Sequence, residues 1–251
     1  HDEFARALAL VQEVLATYTF TEYWVRLSLR GEGAKYIAGE EKWERSEAML
    51  RSALDSAHVD YVTAEGEAAI YGPKADFIAK DVLGREWQIS TIQVDMIQPA
   101  RLGCVYIGED GQEHTPVVLH RAVTGATERF MALLIEHFAG AFPLWLSPVQ
   151  AVVIPIADRH NDYAERVASQ LREQGIRLEV DTRRESMRAK IRDAQLQKTP
   201  YMLIVGDREQ EAEAVAVRVR TGQDLGSQPL ATFLAMAQSL IRSKSTQLLP
   251  E

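Results

Sequence analysis

Three stretches hold residues whose types and spacing could do chemistry. In the first, His120 and Arg121 end the strand-like run Val117-Val118-Leu119, Gly125 opens a helix, and Arg129 lies about one turn further on. A helix start beside a glycine leaves N–H groups pointing outward, which suits a phosphate. An arginine at that mouth offers phosphate charge a planar fork of donors. Read without function, the same residues are a strand end, a turn and an arginine paired to Glu128 or Asp110. The second stretch is Tyr71-Gly72-Pro73-Lys74. Gly-Pro suits a tight turn and holds a phenol and an ammonium on either side of it, where both could meet a polar substrate. The plain alternative is a hairpin with an exposed lysine. The third is Gln88 to Asp95. If this is one strand, Thr91, Gln93 and Asp95 share one face while Ile92 and Val94 share the other. A face carrying a hydroxyl, an amide and a carboxylate is either solvated or the floor of a ligand site.

Other polar features are less specific. Arg183, Arg184, Arg188, Lys190, Arg192 and Lys198 face only Glu185 and Asp193, a local net of +4. A basic helix of this kind can track phosphates, although such runs are more often solvated faces held by ion pairs. Cys104, in Gly103-Cys104-Val105-Tyr106, reads as a small buried hydrophobe on a strand, with no catalytic role. No Ser/His/Asp or Cys/His signature appears.

The elements that position these residues fall into two styles. Apolar residues at helical spacing predict helices over about 3–16 and 41–54, and another over 125–137. Residues 23–29 read as a strand, and 61–120 as a series of short strands punctuated by Glu65-Gly66, Tyr71-Gly72-Pro73 and Gly108-Glu109-Asp110-Gly111. That pattern predicts an antiparallel sheet. After Phe142-Pro143-Leu144-Trp145-Leu146-Ser147-Pro148, which lacks any helical period, strands (151–154, 177–180, 201–205, 214–219) alternate with helices (163–174, 185–197, 232–241). This predicts a small α/β domain with a mostly parallel sheet. The expected domains are 1–147 and 148–251, and the fold class is α+β.

Composition sets outer limits. The chain has 251 residues, 46% of them apolar and 25% charged, as in ordinary globular proteins. No apolar run reaches the roughly 18 residues of a membrane helix. The start, His1-Asp2-Glu3-Phe4, has neither the basic region nor the apolar stretch of a signal peptide. A single cysteine excludes an internal disulfide framework and a cysteine-rich zinc site, and fits a reducing compartment, hence the cytoplasm. The net charge of −8 argues against nucleic-acid binding through bulk charge. The charge is uneven, however. Residues 149–251 hold 15 basic and 14 acidic residues, a net of +1, and the rest carries −9.

Together these stretches resemble the threonyl-tRNA synthetases, along essentially the whole chain. The resemblance is carried by Ala69-Ile70-Tyr71-Gly72-Pro73-Lys74, Gln88 to Asp95, Tyr106-Ile107-Gly108-Glu109-Asp110, and His120 to Phe130, which contains class II synthetase motif 3. Phe138 to Gln150 is similar to the family's bridge to its anticodon-binding domain, and Pro200 to Asp207 and Val215 to Arg218 to stretches of that domain. The resemblance implies a class II antiparallel catalytic sheet with helices, then an α/β anticodon-binding domain. It implies ATP-dependent activation of threonine and its transfer to tRNA(Thr).

Residue by residue, Arg129 and Gln93 match catalytic positions. Gln88, Thr91, Gly125 and Arg129 match residues around ATP, and Tyr71, Gln93 and His120 match residues around threonine. Lys74 is a neighbour of that pocket. Glu209 and Arg218 match anticodon-reading positions. The family uses a Zn2+ ion held by one Cys and two His. His120 matches its last ligand, Cys104 does not match its Cys, and the others are expected upstream. Mg2+ is expected with ATP, and a homodimer for the full-length enzyme. Ala126 stands where many relatives have Ser. Motifs 1 and 2 and the editing region have no counterpart here, so this chain is expected to be a fragment of a larger enzyme and to be inactive alone. A proline, histidine or glycine synthetase would share the second domain, but the Tyr71–Lys74 motif and His120 argue against it. A non-catalytic tRNA-binding paralogue is the alternative of a different class.

Overall fold

The computed structural model describes residues 2–33 and 35–250. They fall into two compact units that divide between residues 137 and 138. The division falls before the Pro-rich segment, so 138–147 pack with the second unit rather than the first, whereas the sequence expectation set the boundary near 147.

The first unit runs α1 (Asp2–Thr17), β1 (Tyr23–Leu29), α2 (Glu40–Ser56), β2 (Tyr61–Glu65), β3 (Lys74–Lys80), β4 (Glu86–Asp95), α3 (Gln98–Arg101), β5 (Tyr106–Ile107), β6 (Glu113–His114), β7 (Val118–Ala122) and α4 (Thr127–His137). Phe4, Leu8, Val11 and Leu15 recur at helical spacing and are all buried, which is why 2–17 coils as a helix against the sheet. Five strands form one sheet in the order β2-β1-β3-β4-β7. Its pairs are antiparallel except β1 with β2, which run parallel. The exception has a plain cause: α2 lies between these two strands in the chain, and a helical crossover returns the next strand in the same direction. β5 and β6 pair only with each other, in a separate small hairpin. α4 buries Phe130, Leu133 and Leu134, and Phe130 meets Tyr18 edge to face with ring centroids 5.0 Å apart.

The second unit runs β8 (Ala151–Pro155), α5 (Asn161–Glu173), β9 (Leu178–Val180), α6 (Met187–Leu196), β10 (Tyr201–Val205), α7 (Asp207–Glu211), β11 (Ala214–Val219), β12 (Asp224–Pro229) and α8 (Leu230–Arg242), with one 3-10 turn at Asp158–His160. The sheet order is β12-β11-β10-β8-β9. β9, β8 and β10 are parallel, whereas β11 and β12 are added antiparallel. The expected mostly parallel sheet is therefore mixed. The eight residues from Gly206 to Glu213 are too few for a crossover, so β11 turns back on β10, and a tight turn at 220–223 returns β12. Strand β8 is buried along its whole length because both faces are covered. Ala151 and Val153 join the core under α5 and α8, and Val152 and Ile154 join a second cluster with Ile191 and Ala194 of α6.

No helix among the described residues is long and apolar enough to cross a membrane.

Candidate active site

The sheet of the first unit carries its polar residues as two adjacent rows. Ser28, Lys74, Gln93 and His120 stand opposite one another across β1, β3, β4 and β7. Arg26, Asp76, Thr91 and Ala122 form the next row. Residues two apart share a face, so both rows line the same side of the sheet. Thr91 and Gln93 thus share a face, with Ile92 and Val94 buried behind them.

At one end of this floor the Tyr71 hydroxyl donates to Gln93 Oε1. Burial, with the Asp95 carboxylate adding to it, pushes the Tyr71 phenol up, so it keeps its proton at neutral pH and remains a donor. The Tyr71 ring lies 5.0 Å from the His120 ring. Asp95 is 1% exposed. Its Oδ1 accepts the Ile97 and Gln98 amides at 2.9 Å each, and its Oδ2 lies 3.0 Å from His120 Nε2. A carboxylate only accepts, so Nε2 carries the hydrogen and, in the neutral ring, Nδ1 is left with the lone pair. Gly72 brings Tyr71 to this floor. A Cβ there would sit 2.0 Å from the Val94 carbonyl oxygen, so only glycine lets the turn lie on β4.

At the other end, Gln88 and Thr91 both bond Asp76. Gln88 reaches this face through a bulge. Ser90 pairs with Phe77 but Gln88 pairs with Ile78, so Ile89 is an extra residue and the side chain of Gln88 switches faces. The turn before α4 docks on the same bulge. Gly125 has φ +60, and a Cβ there would lie 3.2 Å from the Ile89 oxygen. This left-handed residue excludes the expected helix start at 125, and α4 begins at Thr127. Arg129 donates from Nη1 to the Gln88 carbonyl at 3.1 Å, and its guanidinium lies 5.6 Å from the Trp87 ring. It is paired with neither Glu128 nor Asp110; Asp110 bonds His114 instead.

The structure therefore gathers Tyr71, Gln93 and His120 at one end, and Gln88, Thr91, Gly125 and Arg129 at the other, all on the first unit. Lys74 joins the two, 2.5 Å from Asp76 Oδ2. The sequence reading passed over Asp76 and the part of Asp95 in holding His120. A lone carboxylate inside the apolar strand Ala75-Asp76-Phe77-Ile78-Ala79 was the available signal. Cys104 departs from expectation: it is exposed and lies in the loop before β5, because the strand begins only at Tyr106.

The donor set does not fit a zinc ion by itself. Zinc needs about four ligands, three of them from protein in a catalytic site. Among the described residues no three His, Cys, Asp or Glu side chains gather in such a group.

In the second unit Glu209 folds back on its own helix start, where Oε2 accepts the Gly206 amide at 3.1 Å. Arg218 pairs with Asp224 at 2.9 Å. No bond joins them. Gly206 follows β10, whereas Arg218 stands opposite Met202 near its start, so the two anchor points are roughly 13 Å apart at ~3.3 Å per residue. The basic stretch is only partly a free face. Lys190 is 5% exposed and donates to the Asp181 carbonyl at 2.8 Å. Arg183 pairs with Asp181 and Asp193. Lys198 donates to the Ala139 carbonyl.

Comparison with known proteins agrees with this architecture. Residues 1–138 match the tRNA synthetase class II core domain (G, H, P, S and T), and residues 150–240 match the anticodon binding domain. The threonine–tRNA ligase of Rubrobacter xylanophilus is 70% identical over 220 residues, which are 87% of this chain and 34% of that protein. The threonine–tRNA ligase of Thermus thermophilus is 52% identical over 233 residues, 92% of this chain and 35% of that protein. The crystal structure of the RNA binding domain of threonyl-tRNA synthetase from Cryptosporidium parvum superposes with a TM-score of 0.87 at 32% identity, covering 95% of this chain and 60% of that one. The chain spans about a third of the length of the curated relatives it matches. With a class II core and an anticodon-binding domain in sequence, and likeness to threonine–tRNA ligases running through both, the chain belongs to the threonyl-tRNA synthetase family of class II aminoacyl-tRNA synthetases.

Proposed function

We propose that this chain supplies part of the adenylation pocket and the anticodon-reading domain of a threonine–tRNA ligase. The observation that carries the reading is the 70% identity to a threonine–tRNA ligase over 87% of the chain, across both units. In the first step a carboxylate oxygen of threonine bonds to the α-phosphorus of ATP, and the bond to pyrophosphate breaks. In the second, the terminal ribose hydroxyl of tRNA(Thr) attacks the threonyl carbonyl and AMP leaves.

Negative charge grows on the α-phosphate oxygens and on the leaving pyrophosphate. Arg129, fixed by the Gln88 carbonyl and the Trp87 ring, presents its remaining N–H groups toward that charge, and preorganised donors of this kind lower the barrier. Mg2+ carried by ATP would neutralise phosphate oxygens. Gln88, Thr91 and Gly125 hold the nucleotide end. Tyr71, Gln93 and His120 hold threonine, whose ammonium and hydroxyl need the acceptors and donors that this end offers. Zinc would take His120 as one ligand and needs others from outside the described residues, and neither step above depends on it. Glu209 and Arg218 read anticodon bases, the carboxylate accepting from a base edge and the guanidinium donating to guanine. A homodimer and a cytoplasmic location belong to the same reading.

The test is threonine-dependent ATP–pyrophosphate exchange by the longest native form of the protein, with zinc and Mg2+ supplied, together with capture and sequencing of bound tRNA. Exchange with enrichment of threonine acceptors, lost on changing the second or third anticodon base, is the expected result. Absence of exchange would overturn the enzyme reading and leave a tRNA-binding paralogue. Enrichment of proline, histidine or glycine acceptors would move the amino acid.

A further inference from the structure

Asp76 is fully buried on β3, and five side chains donate to it. Lys74 Nζ, Ser28 Oγ and Arg26 Nη2 reach its Oδ2 at 2.5, 2.8 and 3.1 Å. Gln88 Nε2 and Thr91 Oγ1 reach its Oδ1 at 2.8 and 2.9 Å. These donors come from β1, β3 and β4, so one carboxylate ties three strands of the pocket floor together.

The consequence for the ligand follows from counting hydrogens. A carboxylate only accepts, so Thr91 must spend its single hydroxyl hydrogen on Asp76 and keeps only lone pairs. Gln88 must turn its amide nitrogen to Asp76, which directs its carbonyl oxygen away from it. We propose that Asp76 is a positioning residue that sets the hydrogen-bond polarity of this floor, so that Thr91 meets a donor group of the nucleotide, a hydroxyl or an amine, and never a phosphate oxygen. A threonine hydroxyl is otherwise free to rotate and can serve either sort of partner. Here Asp76 removes that choice before the ligand arrives. The inference rests on the nucleotide reading of Gln88 and Thr91 given above and adds the chemical class of group that they select.

The experiment is calorimetric titration of the longest native form of the protein with adenosine, 2′-deoxyadenosine, 3′-deoxyadenosine and purine riboside, each of the last three lacking one donor. Thr91→Val should weaken adenosine about tenfold, the ordinary worth of one hydrogen bond, and Thr91→Ser should not. Against one of the three analogues the Thr91→Val penalty should vanish, since the group that Thr91 accepts from is already missing. Asp76→Asn, which can itself donate, should also weaken adenosine, and adding Thr91→Val should cause little further loss. A merely structural part for Asp76 would not make its effect depend on which donor the ligand lacks. If Asp76→Asn does not fold, the serine and valine variants alone decide. A valine penalty that persists against all three analogues, or no penalty at all with wild-type binding intact, overturns this inference. Failure of the wild-type protein in its longest native form to bind adenosine overturns the nucleotide reading itself, a distinct outcome.

Discussion

Replacing Gly72 by alanine tests whether the turn that carries Tyr71 truly lies on β4. The added Cβ would stand 2.0 Å from the Val94 carbonyl oxygen and 3.1 Å from its carbon. The obstacle is backbone, and Val94 is itself fully buried, so nothing flexible can swing aside. Gly72 does not have positive φ, so the penalty is one of space rather than of backbone conformation. Turn and strand must part by more than about 1 Å, and overpacking of this kind costs about 1–3 kcal/mol. The Val94 amide bond to the Pro73 carbonyl, 3.1 Å long, would stretch with it, adding about 1 kcal/mol. A total of about 2–4 kcal/mol lowers the melting temperature by roughly 8–16 °C for a unit of this size. Gly66→Ala is the control. It has φ +81 and no atom within 4 Å of the added Cβ, so it carries only the left-handed penalty of about 1–2 kcal/mol. Urea and thermal unfolding followed by tryptophan fluorescence measure both. Val94 lies between Gln93 and Asp95, so Gly72→Ala should also weaken threonine binding whereas Gly66→Ala should not. A Gly72→Ala protein within about 0.5 kcal/mol of wild type, with unchanged threonine affinity, would refute the close approach and the placement of Tyr71 that depends on it.

Two further outcomes follow from the same geometry. On the proposed ligase reading, Arg129→Ala in the longest native form of the protein should lower kcat/KM for ATP–pyrophosphate exchange by about 10²–10³, the usual effect of losing one preorganised donor, and Arg129→Lys should recover only part of this because an ammonium lacks the planar fork. Asp81 should shape the acid limb of stability. Desolvation pulls its carboxyl up, but the Trp87 indole, the Arg85 amide and guanidinium and the Leu83 amide outweigh it and hold it down to about 2. A depressed carboxyl stabilises the fold above its unfolded value near 4 and loses that contribution as pH falls toward 2. Asp81→Asn should therefore flatten stability between about pH 4 and 2, and an unchanged acid limb in urea titrations would count against the assignment.

Much of the local structure was readable from residue order. The aromatic and β-branched run at 23–29 and the apolar run at 201–205 are strands with those bounds, and the period of Phe4, Leu8, Val11 and Leu15 marks α1. Such patterns record which side of an element is buried, and burial is what hydrophobic periodicity measures. β12 was not readable. Asp224-Leu225-Gly226-Ser227-Gln228-Pro229 lacks β-branched residues and sits at the edge of the sheet, where pairing with β11 rather than burial holds it. The α7 turn, five residues long, is too short for a period to show.

That Tyr71, Gln93, His120 and Arg129 are candidate pocket residues was legible only through the resemblance of their stretches to a known family. What they touch was not. Gln88 faces the pocket only because a bulge at Ile89 reverses its side, and a bulge depends on the partner strand. Asp76 looks like a misplaced charge in an apolar strand until Arg26, Ser28, Lys74, Gln88 and Thr91 converge on it from three strands. The direction of β2 beside β1, and of β11 beside β10, was set by the length and content of the connections between them. The chain order therefore determined which chemical groups are present and which local elements they occupy. The tertiary structure decided which of those groups share a face and which hydrogens remain for a ligand, because both depend on contacts between strands far apart in sequence.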